Sequence, residues 1–170
     1  MKKLVVAALL VTTALTAAVE RGVPSSLYAG KSPQDAAAAL LQKAEEQAAS
    51  GSWELIAVGR VRYLSGDKPG GQALFDRAIS RKVEASDWRR IALVYAEAGD
   101  LDLAASTCEK ALQLNPKGHS LLAECGAIFN LKGDRARAEE LFGRAFGVGG
   151  ADVWDTLAVA GSYLKVPPQP

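Results

Sequence analysis

Along most of the chain, apolar residues recur three and four positions apart, and the pair Gly-Asp breaks the recurrence at regular intervals. Gly66-Asp67, Gly99-Asp100 and Gly133-Asp134 stand 33 and 34 residues apart. Apolar positions at that short spacing mark one face of a helix. Glycine can take the left-handed conformation that ends a helix, and aspartate can cap the next one. Each pair therefore predicts the turn of a helical hairpin, giving three hairpins over about 52–84, 85–118 and 119–152. Ser32-Pro33 supplies a cap and a first-turn proline for a helix ahead of them, and Asp152 caps a final helix over 153–165. The helical domain thus spans 32–165. Residues 19–31, with Gly22, Pro24 and Gly30, are expected to be a flexible lead-in. Residues 166–170, Val-Pro-Pro-Gln-Pro, cannot continue a helix and are expected to form an extended, exposed tail.

The units also repeat residue by residue. The central one carries Trp88, Ile91, Ala92 and Tyr95, then Ala104, Cys108 and Ala111, then Pro116. The next carries Leu122, Cys125, Gly126 and Phe129, then Ala138, Phe142 and Ala145. The first is looser. It has Leu55, Val58, Gly59 and Arg62, with Arg62 where an aromatic is expected, then Gly71, Phe75 and Ala78. Gly70-Gly71 weakens its second helix by about 1 kcal/mol per glycine. Half-units extend both ends: Ala37, Leu41 and Ala44 match a second helix, and Thr156, Val159, Ala160 and Tyr163 a first. This pattern resembles the tetratricopeptide-repeat (TPR) family, W-x2-L-G-x2-Y followed by A-x3-F and a proline, over about residues 34–165. The resemblance implies an all-α, TPR-like α-solenoid of about three helical hairpins flanked by a helix at each end. Small residues at the matched sites let helices touch, and each repeat contacts mainly its neighbours.

Composition narrows the function. Twenty basic side chains face nineteen acidic ones, and two of the basic ones, Lys2 and Lys3, lie at the extreme N-terminus. A balance near zero supplies no basic field for nucleic acid. Lys2 and Lys3 are followed by an apolar run from Leu4 to Leu15, broken only by Thr12 and Thr13, and by the small residues Ala17 and Ala18. Residues 1–18 therefore read as a signal peptide cleaved after Ala18. The uncharged stretch is shorter than the roughly 20 residues of a membrane span. A short uncleaved anchor is the alternative, and the only membrane contact the chain implies. Export follows: to the periplasm if the source is Gram-negative, or to the periplasmic side of the inner membrane if the leader stays.

No catalytic constellation is present. His119 is the single histidine and falls in an inter-repeat turn beside Pro116 and Gly118, with no nucleophile placed next to it. One histidine and two cysteines make poor zinc ligands, and neither a P-loop nor a dinucleotide fingerprint occurs. The chain is read as no enzyme, with no cofactor and no metal. Cys108 and Cys125 flank the turn at Pro116 on helices that run antiparallel. Two readings stay open: small buried hydrophobes, or a disulfide if the α-carbons approach to about 4.4–6.8 Å. Neither belongs to a C-x-x-C motif, which argues against redox catalysis.

The family resemblance implies that ligands lie along the groove formed by the first helix of each hairpin. Trp88, Ile91, Ala92 and Tyr95 face neighbouring helices, so Arg89, Leu93 and Ala96 occupy the next stripe. Its counterparts are Ile56, Arg60 and Tyr63 in the first unit, Ala123, Ala127 and Asn130 in the third, and Trp154, Leu157 and Gly161 in the final helix. The expected function is that of a non-catalytic scaffold or adaptor of the cell envelope that binds a peptide segment or helix of another protein. The alternative is a regulatory accessory subunit of an envelope enzyme or a secretion or assembly complex. Self-association stays open, since both ends of a repeat stack can pair.

Overall fold

The computed structural model describes residues 22–169, so the proposed leader and its cleavage point lie outside the described residues. Within them the chain is all-helical: α1 (Pro33–Ala48), α2 (Ser52–Leu64), α3 (Lys68–Ala78), α4 (Ala85–Glu97), α5 (Leu101–Leu114), α6 (His119–Lys132), α7 (Arg135–Gly147) and α8 (Val153–Tyr163). A single 3-10 turn, Ser25–Leu27, precedes α1. Three hairpins, α2/α3, α4/α5 and α6/α7, stack in sequence, with α1 against α2 and α8 against α6. This is the expected TPR-like solenoid. Among the described residues no helix is long and apolar enough to cross a membrane.

The turns form where the Gly-Asp pairs stand. Gly66, Gly99 and Gly133 take φ of 102°, 79° and 99°, which an L side chain rarely adopts. Asp67 and Asp134 cap the helices that follow, accepting from the Gly70 and Arg137 N–H groups at 2.9 and 3.2 Å. Asp100 departs from the pattern and makes no side-chain cap. Its carboxylate instead accepts from Tyr63 Oη at 2.8 Å and Lys68 Nζ at 2.6 Å, both in the preceding hairpin. Those bonds, Lys68's first and then Tyr63's, hold it below the ordinary carboxylate range. A residue that caps its own hairpin elsewhere here ties two hairpins together.

Small residues set the inner spacing. A side chain on Gly59 would strike the Phe75 ring at 2.6 Å, and one on Gly126 would strike Phe142 at the same distance. Gly71, expected to weaken α3, sits where the backbones of α2 and α3 meet. A β-carbon there would come within 2.7 Å of the Gly59 carbonyl oxygen. Close approach thus outweighs the helix-propensity loss. The missing aromatic of the first unit is also explained: Tyr63, one position after Arg62, is buried, and its ring packs 5.8 Å from Phe75 and 5.3 Å from Tyr95. Arg62 turns away to Glu45 of α1 and to Asp67.

Candidate partner-binding groove

The four first helices, α2, α4, α6 and α8, lie side by side, and each consecutive pair is in contact. Each also packs against other helices, so little of its circumference is left free. In α4, six consecutive residues from Ile91 to Ala96 are buried.

The stripe nominated from sequence falls mostly into the seams between these helices. Ile56, Tyr63, Leu93, Ala96, Ala123, Ala127 and Asn130 are all buried; Leu93 is 1% exposed. Tyr63 meets Tyr95 of α4 and Asn130 meets Ser162 of α8 across neighbouring first helices, and of the seven only Ile56 borders an open cleft. The cause is geometric. A stripe one position round from the hairpin-facing residues meets the next first helix, and the free face lies a further position round. Arg60 and Arg89 bridge seams through their guanidinium forks. Arg60 donates to Glu97 of α4 through Nε at 2.7 Å and Nη2 at 2.5 Å. Arg89 pairs in the same two-pronged way with Glu124 of α6. Burial pushes the Glu124 carboxyl up against the pull of Arg89. Trp154 and Leu157, at the far end, are exposed, Trp154 at 73%.

The accessible face keeps Ile56 and Arg60 from the nominated stripe and adds residues outside it. Between α2 and α4 lies a cleft of about 370 Å³ lined by Trp53, Ile56, Ala57 and Arg60 on one side and Arg90, Val94 and Glu97 on the other. Its members recur at i, i+4 and i+7: Trp53, Ala57 and Arg60 on α2, and Arg90, Val94 and Glu97 on α4. Trp53 is 52% exposed, and the Arg90 guanidinium lies over its ring, 3.9 Å from the centroid. Such stacking contributes about 0.5–1 kcal/mol at an exposed site. Among the described residues Arg90 meets no carboxylate within ion-pair distance, and its buried Nε has no hydrogen-bond partner. The cleft therefore offers an apolar plate, an unpaired cation and one polar fork. The signal for it was present in the sequence, as an aromatic and charged residues breaking apolar helices at helical spacing.

The tail departs most from expectation. Pro167 is half-buried, Pro168 is buried, and Gln169 lines the α2/α4 cleft. The expected extension is exposed at Val166 and Gln169 but covered at Pro168, and it brings Gln169 to the first-helix face.

The other nominated residues settle elsewhere. Cys108 and Cys125 are buried and unbridged. Burial, and then the neighbouring Cys108 thiol, push the Cys125 thiol well up, which suits packing and not nucleophilic chemistry. His119 begins α6 and is no free turn residue: its Nδ1 lies 2.6 Å from Asp155 Oδ2 of α8. No three His, Cys, Asp or Glu side chains converge as a metal site requires, among the described residues.

No protein-family model matches the chain. Its curated relatives include the photosystem I assembly protein Ycf3 of Prochlorococcus marinus, from strains MIT 9303 and MIT 9313. Each is 35% identical over a stretch covering 56% of this chain and 61% of the relative. The chain thus spans less than two thirds of the length of the curated relatives it matches. Among solved structures, that of MamA superposes with a TM-score of 0.51 at 24% identity, covering 68% of each chain. At that identity the likeness bears on the fold alone.

Proposed function

We propose that the chain is a non-catalytic interaction scaffold that holds a segment of another protein on its first-helix face and serves the assembly of a larger complex. The observation that carries this reading is the α2/α4 cleft. An exposed tryptophan stacked under a cation that meets no acid among the described residues is the kind of anchor that dominates protein–protein contacts. The name of the Ycf3 relatives, photosystem I assembly protein, supports an assembly role in general and fixes no partner.

The leader supports export, to the periplasm in a Gram-negative source or to an anchored position facing it. An intact mass of the purified native protein beginning at Val19 tests cleavage. A mass that includes Met1 to Ala18 argues for the anchored form.

The partner is tested by photocrosslinking in native cells, with the probe at Ala57, an exposed position on the cleft, and a control at Ser106, exposed on α5. A discrete adduct from Ala57 and none from Ser106 is the expected result. Adducts from neither site in folded protein would overturn the groove reading.

A further inference from the structure

The tail leaves α8 through a defined turn. The Val166 N–H bonds the Gly161 carbonyl at 2.9 Å, and the Lys165 N–H bonds that of Ser162 at 3.3 Å. The same pair of bonds closes α4, through Asp100 to Tyr95 and Gly99 to Ala96, and α6, through Asp134 to Phe129 and Gly133 to Asn130. This is the Schellman arrangement. At those two ends the left-handed residue is glycine and an aspartate follows, ready to begin another helix. At the end of α8 the left-handed residue is Lys165, with φ of 63°, and Val166-Pro167-Pro168 follows. The two prolines lock φ and supply no N–H, so the chain runs on extended at about 3.1 Å per residue.

The direction of that run is fixed by its end points. Lys165 is bonded to the end of α8, while Gln169 lines a cleft between α4 and α2. In the stack, α6 stands between α8 and α4. Four extended residues span about 12 Å. Pro168 is buried on the way. The segment thus brings Gln169 to the cleft that Trp53, Arg60, Arg90 and Glu97 line.

We infer that the 166–169 tail, which reaches the α2/α4 cleft through Gln169, is a resident self-ligand, and that the partner is an extended, proline-containing segment of another protein, which binds by displacing it. The groove selects this chemistry through its own occupant. An extended proline-rich strand leaves its carbonyls without internal hydrogen bonds. The cleft sets the Arg90 guanidinium over the Trp53 ring beside the Arg60–Glu97 fork, a charged and aromatic wall against which such a strand can lie. A short tether holds the self-ligand at an effective concentration on the order of millimolar, so an identical segment added in solution competes at a disadvantage. The partner half of the inference rests on the groove reading above. The self-contact does not, and it is tested without any partner.

The test compares the full chain with one ending at Lys165, following the tryptophan indole N–H signals by NMR. The Trp53 signal is assigned with Trp53→Phe, and Trp88, half-buried under Lys110 on α4, serves as the reference. Removing the segment should move the Trp53 signal and leave Trp88 in place. An acetylated peptide reproducing residues 165–170 should return the signal toward its original position in the shortened chain. In the full chain, at least about ten-fold more peptide should be needed. A Trp53 signal indifferent to removal, or equal peptide affinity for both chains, would overturn the self-contact. If the shortened chain does not fold, Pro168→Asp in the full chain gives the same readout, because a charge at that buried position should eject the segment. An unmoved Trp53 signal in folded Pro168→Asp counts against the inference. Failure here, with the cellular crosslink at Ala57 intact, removes the self-ligand and leaves the scaffold reading standing; the opposite pair of results does the reverse.

Discussion

The seam between α6 and α8 and the seam between α2 and α4 join the same kind of helices, yet they treat polar groups in opposite ways. At α6/α8, Asn130 donates to Ser162 Oγ at 2.9 Å, and the Ser162 hydroxyl in turn donates to the Val159 carbonyl at 2.7 Å. Asp155, 1% exposed, takes His119 at 2.6 Å and the Asp152 N–H at 3.1 Å. At α2/α4 the polar fork Arg60–Glu97 lies toward solvent, Trp53 is half exposed, and Arg90 has no acid partner among the described residues. Among the described residues, the buried side-chain atoms left without a partner are Arg62 Nε, Asp87 Oδ1 and Arg90 Nε, and of these Arg90 Nε lies at the α2/α4 cleft. Satisfied buried polar groups fix one arrangement, whereas unsatisfied ones are costly unless something else meets them. One seam is finished by the chain's own helices. The other keeps an unmet donor, Arg90 Nε, even with Gln169 beside the cleft.

If that contrast holds, the heaviest stability loss lies at Asp155. Asp155→Ala leaves the His119 ring and the Asp152 N–H without their acceptor and removes one arm of the α8 capping box. A loss of about 2–3 kcal/mol is expected in urea unfolding followed by circular dichroism. A loss below about 1 kcal/mol would mean that α8 is held by apolar contact alone.

Protonating the same carboxylate should act in the same direction and more gently. Burial pushes Asp155 up, but the hydrogen bonds from His119, the Asp152 N–H and Ser120 outweigh it and hold the carboxyl below its ordinary value. A depressed folded value contributes stability that is present above the unfolded carboxylate range, near 3.9, and is lost as pH falls through the folded value. Unfolding free energies measured from about pH 5 to pH 2 should therefore fall more steeply for the native chain than for Asp155→Asn. Parallel curves would place the acid sensitivity elsewhere, Asp100 being the first candidate because Lys68 and Tyr63 depress it too.

Asn130→Ala is a milder cut in the same seam. Ser162 keeps its bond to Val159 and loses only a donor, so about 1 kcal/mol is expected in the same urea measurement. A cost equal to that of Asp155→Ala would show the two polar links acting as one network.

How much of this was legible beforehand follows the range of the interactions. The hairpins were readable because their turns are local: a left-handed glycine followed by aspartate needs nothing beyond its neighbours. The first unit looked weak because its pattern was matched position by position. Tyr63 supplies the aromatic one residue late, and Gly71 has a reason visible only when the Gly59 carbonyl sits against it. The groove was misplaced because periodicity shows that Leu93 and Ala127 are on a helix face but not which helix covers that face. The tail was the least legible part. Two prolines state that 166–169 cannot be helical, but the cleft it reaches is built by Trp53 and Arg90, far away in sequence.

Trp53→Ala carries the smallest expected change in stability and gives the contrast its sharpest test. The side chain is half exposed, and its stacking with Arg90 is worth about 0.5–1 kcal/mol, so unfolding should shift by no more than that. Recognition should behave otherwise, because the ring is a wall of the cleft that takes Gln169. With the chain ending at Lys165 as background, binding of the 165–170 peptide, read by calorimetry, should drop by at least about ten-fold when Trp53 is replaced. At the other seam the order reverses: Asp155→Ala should cost stability and leave the affinity of whatever remains folded nearly unchanged. If Trp53→Ala instead unfolds the chain as readily as Asp155→Ala, then α2/α4 is a structural seam like α6/α8, and the unpaired Arg90 has to be explained without a ligand.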